Sequence, residues 1–191
     1  MLASLVPAVA LSLAGAGEAD AVELWALLTR GDQVIVVRHA GTSPGVGDPP
    51  GFRPGVCSTQ RNLSAEGRAQ AVRLGAALRA RGVPVGRVLS SRWCRCLDTA
   101  RLAFGEAEGW PPLDSIFEDR SRARGQTAAV RAAIAAHGPG GGTLVLVTHG
   151  ANVAALAGIH PAPGELLVLT PRGGDFTFRG RLAPAALEEG K

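Results

Sequence analysis

Aromatic side chains are scarce in this sequence. They make up 4% of its 191 residues, whereas apolar residues of all kinds reach 46%. A core built from this composition must therefore be aliphatic and rich in alanine. A chain of this length can bury one compact core and is short for two domains. We therefore expect a single domain over residues 20–184.

Dense runs of basic residues with interleaved aromatics are also missing. The formal net charge is only +4. Because nucleic-acid-binding domains concentrate basic residues in a patch or stripe, no nucleic-acid partner is indicated. A modest positive charge instead suits a small anionic substrate.

No apolar run at the start of the chain is long enough to cross a bilayer. Residues 1–16 carry no charged side chain, and Ala14-Gly15-Ala16 resembles a small-residue cleavage site. We interpret residues 1–16 as a signal peptide, although it lacks the usual basic start. The mature protein is then expected to be periplasmic or secreted, without stable membrane insertion. If the segment is instead a helix docked on the domain, a cytoplasmic location follows.

Cysteine is rare as well. Cys57, Cys94 and Cys96 are an odd number, so at most one internal disulfide can form. The spacing leaves open whether Cys57 pairs with Cys94 or with Cys96. A fourth ligand at zinc-site spacing is not visible, so no metal site is expected.

Glycine and proline are frequent, and they separate apolar segments that alternate between strand and helix periodicity. This alternation predicts an α/β three-layer sandwich, with a mostly parallel central sheet and helices on both faces. Strands are predicted over residues 34–37, 85–90, 113–117, 143–148, 165–169 and 175–179, the last two as antiparallel edge strands. Helices are predicted over residues 20–28, with Asp20 as its cap, and over 63–81, 92–104, 127–137 and 151–157.

Charged and nucleophilic side chains follow three of the predicted strands. Arg38 and His39 come directly after the first strand, Arg95 lies in the helix after the second, and His149 and Gly150 follow the fourth. Ligands of open α/β sheets bind at the carboxyl ends of the strands. These residues therefore predict a positively charged pocket of about the size of a phosphate group. The glycine- and proline-rich loop over residues 41–62 is long enough to be functional.

Four motifs in this order resemble those of the histidine phosphatase superfamily, whose fold is shared by cofactor-dependent phosphoglycerate mutases and histidine acid phosphatases. The motifs are Arg38-His39-Ala40, Asn62-Leu63-Ser64-Ala65-Glu66-Gly67-Arg68-Ala69-Gln70-Ala71, Ser91-x-x-x-Arg95-x-x-x-Thr99-Ala100 and Thr148-His149-Gly150. Each motif alone is weak evidence, but four in order are strong. The resemblance spans residues 34–157 and implies a phosphoglycerate mutase-like fold.

The resemblance also implies a reaction, the hydrolysis of a small phosphomonoester without metal or cofactor. His39 would attack phosphorus and form a phosphohistidine. The phosphoryl oxygens would be held by positive or donor groups, namely Arg38, Arg95, His149 and Gly150. In the family a carboxylate after the third strand is the general acid, which implies Glu118 or Asp119, with Glu118 preferred.

Other functions are compatible with parts of the sequence. A phosphomutase of the same fold is disfavoured because the loop after His39 lacks the Ser-x-x-Asn continuation of the mutases. A non-catalytic phosphoanion-binding module would need only the arginines. A serine esterase built on Gly41-Thr42-Ser43-Pro44-Gly45 is unsuitable because Pro44 has no N–H for an oxyanion hole. His137 and His160 are expected to cap backbone carbonyls rather than to act in catalysis.

Overall fold

A six-stranded sheet lies at the centre of the protein. The computed structural model describes residues 16–187. The strands are β1 (Val34–Arg38), β2 (Val85–Ser90), β3 (Glu108–Gly109), β4 (Thr143–Thr148), β5 (Leu166–Arg172) and β6 (Asp175–Leu182). Their order is β3-β2-β4-β1-β5-β6. The first four in this order run parallel, and β5 is antiparallel to both β1 and β6.

Helices cover both faces of this sheet. They are α1 (Ala16–Thr29), α2 (Ala65–Ala80), α3 (Cys94–Phe104), α4 (Ala123–Ala135) and α5 (Gly150–Ala157). Alternate β1 side chains point to opposite faces. Ile35 and Val37 pack with apolar residues of α1, α2 and α3, whereas Val34 and Val36 pack with those of α4 and α5. The predicted three-layer α/β sandwich is therefore confirmed.

The predicted strand over residues 113–117 is wrong. A one-turn 3-10 helix occupies Pro111–Leu113, and the third strand is the earlier pair Glu108–Gly109. The backbone after this turn forms hydrogen bonds with a side chain and not with a neighbouring strand. Asn152 Nδ2 donates to the Asp114 carbonyl, and Asn152 Oδ1 accepts from Ile116 N. Leu113 and Ile116 are buried although Phe117 is exposed, and these two buried residues explain why the segment resembles a strand in the sequence.

Several predicted boundaries also differ. α1 begins at Ala16, so Asp20 lies inside the helix and is not its cap. α4 begins at Ala123 rather than at residue 127. β5 is not an edge strand, because it lies between β1 and β6. Most of the predicted signal peptide, residues 1–15, lies outside the described residues. No helix in the described part of the chain is long and apolar enough to span a membrane.

A close contact between α2 and the backbone after β1 fixes the start of the long loop. Ser64 caps α2 by accepting a hydrogen bond from Gly67 N. A side chain at Gly67 would collide with the Gly41 carbonyl, whose oxygen would lie 1.7 Å from an added Cβ. Gln70, one turn later, accepts from Gly41 N and donates to the Pro163 carbonyl. The second sequence motif therefore joins the loop after His39 to the loop before β5.

The long loop is also attached to the beginning of α3. A disulfide links Cys57 to Cys94, and Cys96 is a buried free cysteine. Beside the disulfide, the buried Gln60 side chain accepts a hydrogen bond from Cys94 N. Of the two pairings that the sequence left open, the structure has Cys57 with Cys94.

Candidate active site

A cavity of about 390 Å³ opens at the carboxyl ends of β1 and β4. Its lining includes six of the seven predicted site residues, namely Arg38, His39, Arg95, Glu118, His149 and Gly150. A larger depression of about 860 Å³ lies along β2 and β3 and contains none of them. The residues predicted at the ends of the strands therefore line one common cavity, with the exception of Asp119.

His39 is buried directly after β1, with its Nδ1 2.9 Å from the Ala40 carbonyl oxygen. Because a carbonyl only accepts, this contact places the proton on Nδ1 and leaves a lone pair on Nε2. The pKa of His39 is lowered to about 3, first by burial and then, against the effect of the Ala40 contact, by the charges of Arg95, Arg38 and Arg61. His39 is therefore a neutral imidazole at pH 7, which is the nucleophilic form.

His149 faces His39 from the end of β4, with 5.4 Å between the ring centroids. Its Nε2 lies 2.8 Å from Ser91 Oγ and 3.5 Å from Cys96 Sγ. Burial, followed by the neighbouring His39 and the arginines, holds the pKa of His149 well below its ordinary value. The positive charge of the cavity therefore comes from its arginines.

Two arginines that line the cavity each have a buried guanidinium nitrogen without a hydrogen-bond partner in the described residues. Arg38 Nη1 donates to the Pro161 carbonyl at 2.7 Å, and Arg95 Nη1 donates to Asp48 Oδ1 at 2.7 Å. Within residues 16–187, neither Arg38 Nε nor Arg95 Nε has a hydrogen-bond partner. Buried donors of a native site are almost always satisfied, so this pair indicates an anionic ligand.

Gly150, the first residue of α5, lies beside the Arg38 side chain. An added Cβ at this position would lie 3.4 Å from Arg38 Nε and 3.5 Å from its Cζ. The first N–H groups of α5 lie at the same end of the cavity, where the helix dipole favours negative charge. A guanidinium group and a helix N-terminus therefore lie on the same side of the cavity.

The two candidate acids have different environments. Glu118 lines the cavity, and its Oε1 would lie 3.0 Å from a Cβ added to Gly47 in the long loop. Asp119 instead accepts hydrogen bonds from Ser121 N and Ser121 Oγ, and these bonds lower its pKa. Asp119 is therefore a helix cap outside the cavity lining, and Glu118 is the better candidate.

Four further residues of the cavity lining with charged or ionisable side chains were not predicted, namely Asp48, Arg61, Arg120 and His160. Asp48 and Arg61 belong to the long loop, where no periodic pattern indicates which side chains turn inward. One signal was present, because Asp48 is the only carboxylate of that loop. His137 contacts the Gly142 carbonyl at 2.9 Å as expected. His160 lines the cavity, and in the described structure no carbonyl is bonded to it.

The sequence comparison agrees with this geometry. The model of the histidine phosphatase superfamily (branch 1) matches residues 34–119. This range includes three of the four motifs that resemble the superfamily and extends through Glu118 and Asp119. The resemblance is therefore confirmed. No curated protein sequence matches the chain significantly.

Solved structures with the same fold include three phosphatases. A putative alpha-ribazole-5'-P phosphatase from Escherichia coli K-12 is 17% identical, with 80% of this chain and 97% of that chain covered and a TM-score of 0.62. A phosphoserine phosphatase from Entamoeba histolytica is 15% identical, with 81% of this chain and 98% of that chain covered and a TM-score of 0.60. The protein histidine phosphatase SixA, solved with tungstate, is 20% identical, with 81% of this chain and 99% of that chain covered and a TM-score of 0.54. The chain therefore has the phosphoglycerate mutase-like fold.

Proposed function

We propose that this chain, which combines a histidine phosphatase superfamily match with the phosphoglycerate mutase-like fold, hydrolyses small phosphomonoesters through a phosphohistidine. One observation carries the proposal: the neutral His39 lies in the same cavity as two arginines whose buried Nε atoms have no hydrogen-bond partner among residues 16–187. A phosphoryl group would accept from both guanidinium groups while its phosphorus faced the imidazole. The reaction needs neither a metal nor a cofactor.

The first step transfers the phosphoryl group to the protein. His39 Nε2 attacks phosphorus, and the bond from phosphorus to the ester oxygen breaks. Arg38 and Arg95 stabilise the charge on the equatorial oxygens, which is the main requirement of phosphoryl transfer. Glu118 donates a proton to the leaving oxygen, so the product is an alcohol rather than an alkoxide.

The second step regenerates His39. The Glu118 carboxylate, deprotonated in the first step, accepts a proton from water as that water attacks the phosphohistidine. The bond between nitrogen and phosphorus breaks, inorganic phosphate leaves, and Glu118 is again protonated. His149 lines the phosphoryl site with Ser91 hydrogen-bonded to its ring, and this contact fixes the orientation of the imidazole.

The competing functions predict different products. A mutase would return the phosphoryl group to an organic acceptor and release little inorganic phosphate. A binding module would release none. An esterase based on Ser43 has little support, because Ser43 is outside the cavity lining and its N–H donates to the Asn62 carbonyl.

The test is a panel of phosphomonoesters incubated with purified protein in the presence of a chelator. We expect inorganic phosphate to be released at the same rate with and without the chelator, and we expect His39→Ala to abolish the release. Loss of turnover in the chelator that a divalent ion restores would contradict the metal-independent mechanism. Phosphate release by His39→Ala at the wild-type rate would show that the nucleophile is elsewhere.

We also propose that the protein acts in a periplasm or outside the cell. Support comes from the uncharged residues 1–16 and from the Cys57–Cys94 disulfide, a bond that is rare in reducing compartments. The test is to sequence the N-terminus of the protein recovered from fractionated producing cells. We expect a mature chain that begins near Gly17 outside the cytoplasm. An intact Met1 in the cytosolic fraction would contradict this location.

A further inference from the structure

We propose that Asp48 is a positioning residue, whose carboxylate orients Arg95 so that one edge of its guanidinium group binds the transferred phosphoryl group. This inference rests on the proposed function, because it assigns a role at the same phosphate site. Asp48 belongs to the long loop, and the four motifs of the sequence do not include it.

The Asp48 carboxylate is held by donors from three directions. Its Oδ1 accepts from Arg95 Nη1 at 2.7 Å and from Arg61 N at 3.0 Å. Its Oδ2 accepts from Trp93 Nε1 at 2.9 Å. The side chains of Asp48 and Arg95 are only 2% and 5% exposed. A buried ion pair with additional hydrogen bonds has a single well-defined geometry.

This geometry determines which part of Arg95 remains for a ligand. Nη1 is occupied by Asp48 and also lies 3.4 Å from the Arg61 carbonyl, whereas the buried Nε has no partner in the part of the chain that the structure describes. Arg38 has the same arrangement there, with Nη1 bonded to the Pro161 carbonyl and Nε unpartnered. Each arginine is therefore anchored at one end and retains a free edge, and such an edge can bind two phosphate oxygens at once.

Asp48 is well suited to remain charged in this role. Burial alone would raise the pKa of its carboxyl group, but the hydrogen bonds from Arg95, from the Arg61 amide and from Trp93, together with the charge of Arg95, lower the pKa. A carboxyl group with a lowered pKa is a poor proton donor at neutral pH. Asp48 therefore orients Arg95 and leaves proton transfer to Glu118.

The Arg61 side chain supports the loop that presents Asp48. Arg61 Nε donates to the Gly47 carbonyl at 2.8 Å. Its Nη1 donates to the Gly45 carbonyl at 2.7 Å and to Thr42 Oγ1 at 2.8 Å. These bonds fold residues 42–48 around one guanidinium group. The carboxylate is thus supported from its own loop as well as from α3.

The experiment measures the affinity for inorganic phosphate by calorimetry, without turnover, in a double-mutant cycle of Asp48→Asn and Arg95→Gln. We expect Asp48→Asn to weaken phosphate binding about 10-fold, as loss of a charge-assisted hydrogen bond implies. It should have little further effect in the Arg95→Gln background, because Asp48 acts through Arg95. Asp98→Asn is the matched control. It breaks an Asp–Arg pair that joins α3 to α2, Asp98 with Arg68 at 2.9 Å, and should leave phosphate affinity unchanged.

Turnover provides the second measurement. Asp48→Asn should slow alkyl and aryl phosphates by the same factor, since it affects the phosphoryl site and not the leaving group. A loss confined to alkyl phosphates would make Asp48 the acid and overturn the positioning role. The positioning role would also be overturned if Asp48→Asn bound phosphate with wild-type affinity. It would be overturned as well if Asp48→Asn weakened phosphate binding equally in the wild-type and the Arg95→Gln backgrounds.

Trp93→Phe extends the test if Asp48→Asn does not fold. It removes the donor to Asp48 Oδ2 and retains an aromatic ring, and we expect weaker phosphate binding that is again not additive with Arg95→Gln. Unchanged phosphate affinity in Trp93→Phe would then contradict the proposal.

The same measurements distinguish the two proposals. Failure of the wild-type protein to bind phosphate would reject the proposed function itself. If the wild-type protein binds phosphate and Asp48→Asn binds it equally well, only the positioning role is rejected.

Discussion

His39 and His149 each follow a strand of buried apolar residues, and both imidazoles are buried with these strands. Burial and nearby arginines keep both rings neutral. For His39 this neutrality is functional, because only an unprotonated nitrogen can attack phosphorus. The same feature makes the folded protein sensitive to acid.

We predict that stability falls as the pH decreases below 6.5. The pKa of His39 is about 3 in the folded state and about 6.5 when unfolded. Between these values the unfolded chain binds a proton that the folded chain does not, which favours unfolding. Between pH 7.5 and pH 5 this linkage costs about 2 kcal/mol for His39.

Urea unfolding at pH 7.5 and pH 5 checks this prediction. His39→Gln removes the titrating group and should show a smaller decrease in the free energy of unfolding over this interval than the wild type. The same decrease in both proteins would contradict the proposed burial of a neutral His39.

The two neighbouring carboxylates allow a matched test of the acid. A leaving alkoxide needs a proton, whereas p-nitrophenolate leaves with much less help. We expect Glu118→Gln to slow alkyl phosphates at least about 100-fold, with a much smaller effect on p-nitrophenyl phosphate. Asp119→Asn removes a carboxylate that caps a 3-10 turn and should leave the ratio of the two rates near wild type. An unchanged ratio in Glu118→Gln would exclude Glu118 as the acid.

Not all of these residues could be identified from the sequence. Arg38 ends β1, and His39 and His149 directly follow strands whose apolar runs are easily recognised, so their common location could be predicted. Asp48 and Arg61 come from an irregular loop that is shaped by side-chain hydrogen bonds and by a disulfide. Such contacts join residues distant in sequence and leave no periodic pattern.

At the scale of elements, the contact of α2 with the Gly41 backbone explains a glycine of the second motif. We predict that Gly67→Ala destabilises the protein by about 3 kcal/mol or more, because the new methyl group overlaps the Gly41 carbonyl. Gly125→Ala is the control. Gly125 also lies in a helix, and no described atom beyond the adjacent backbone of that helix lies within 4 Å of an added Cβ. The substitution should therefore stabilise the protein slightly.

Denaturant unfolding of both variants decides this point. A loss below about 1 kcal/mol for Gly67→Ala would mean that α2 can move away from Gly41 at little cost. Equal effects of the two substitutions would mean that helix propensity, and not the close contact, determines the outcome.

The elements themselves were largely predictable where burial follows a regular period. β1 and β4 are almost completely buried because helices cover both faces, and their apolar runs show this. The segment after Trp110 has the same apolar character, but Pro111 and Pro112 lack N–H groups and Asn152 supplies the hydrogen bonds of the next residues. A buried segment satisfied by a distant side chain cannot be distinguished from a strand by sequence pattern alone.

At the scale of the whole molecule, the Cys57–Cys94 disulfide joins the long loop to the helix that carries Arg95. It closes a segment of 37 residues, for which chain entropy gives a stabilisation of about 4 kcal/mol. We predict a loss of this order in the Cys57→Ser/Cys94→Ser double variant, together with weaker phosphate binding because Asp48 and Arg61 lie in the released loop.

Unfolding with and without reductant provides the measurement and its control. Reductant should destabilise the wild type to the level of the double variant and should have no effect on the double variant itself. A wild-type protein of equal stability under both conditions would show that the disulfide does not contribute to the folded state as described.

The most direct test of the account is whether His39 carries the phosphoryl group during turnover. Protein quenched during turnover of a phosphomonoester labelled in its phosphoryl group should retain a label that is labile in acid and stable in base, and peptide mapping should locate it on His39. Glu118→Gln should retain the label on His39, and His39→Ala should retain none. A label on another residue, or full turnover by His39→Ala, would contradict the phosphohistidine mechanism.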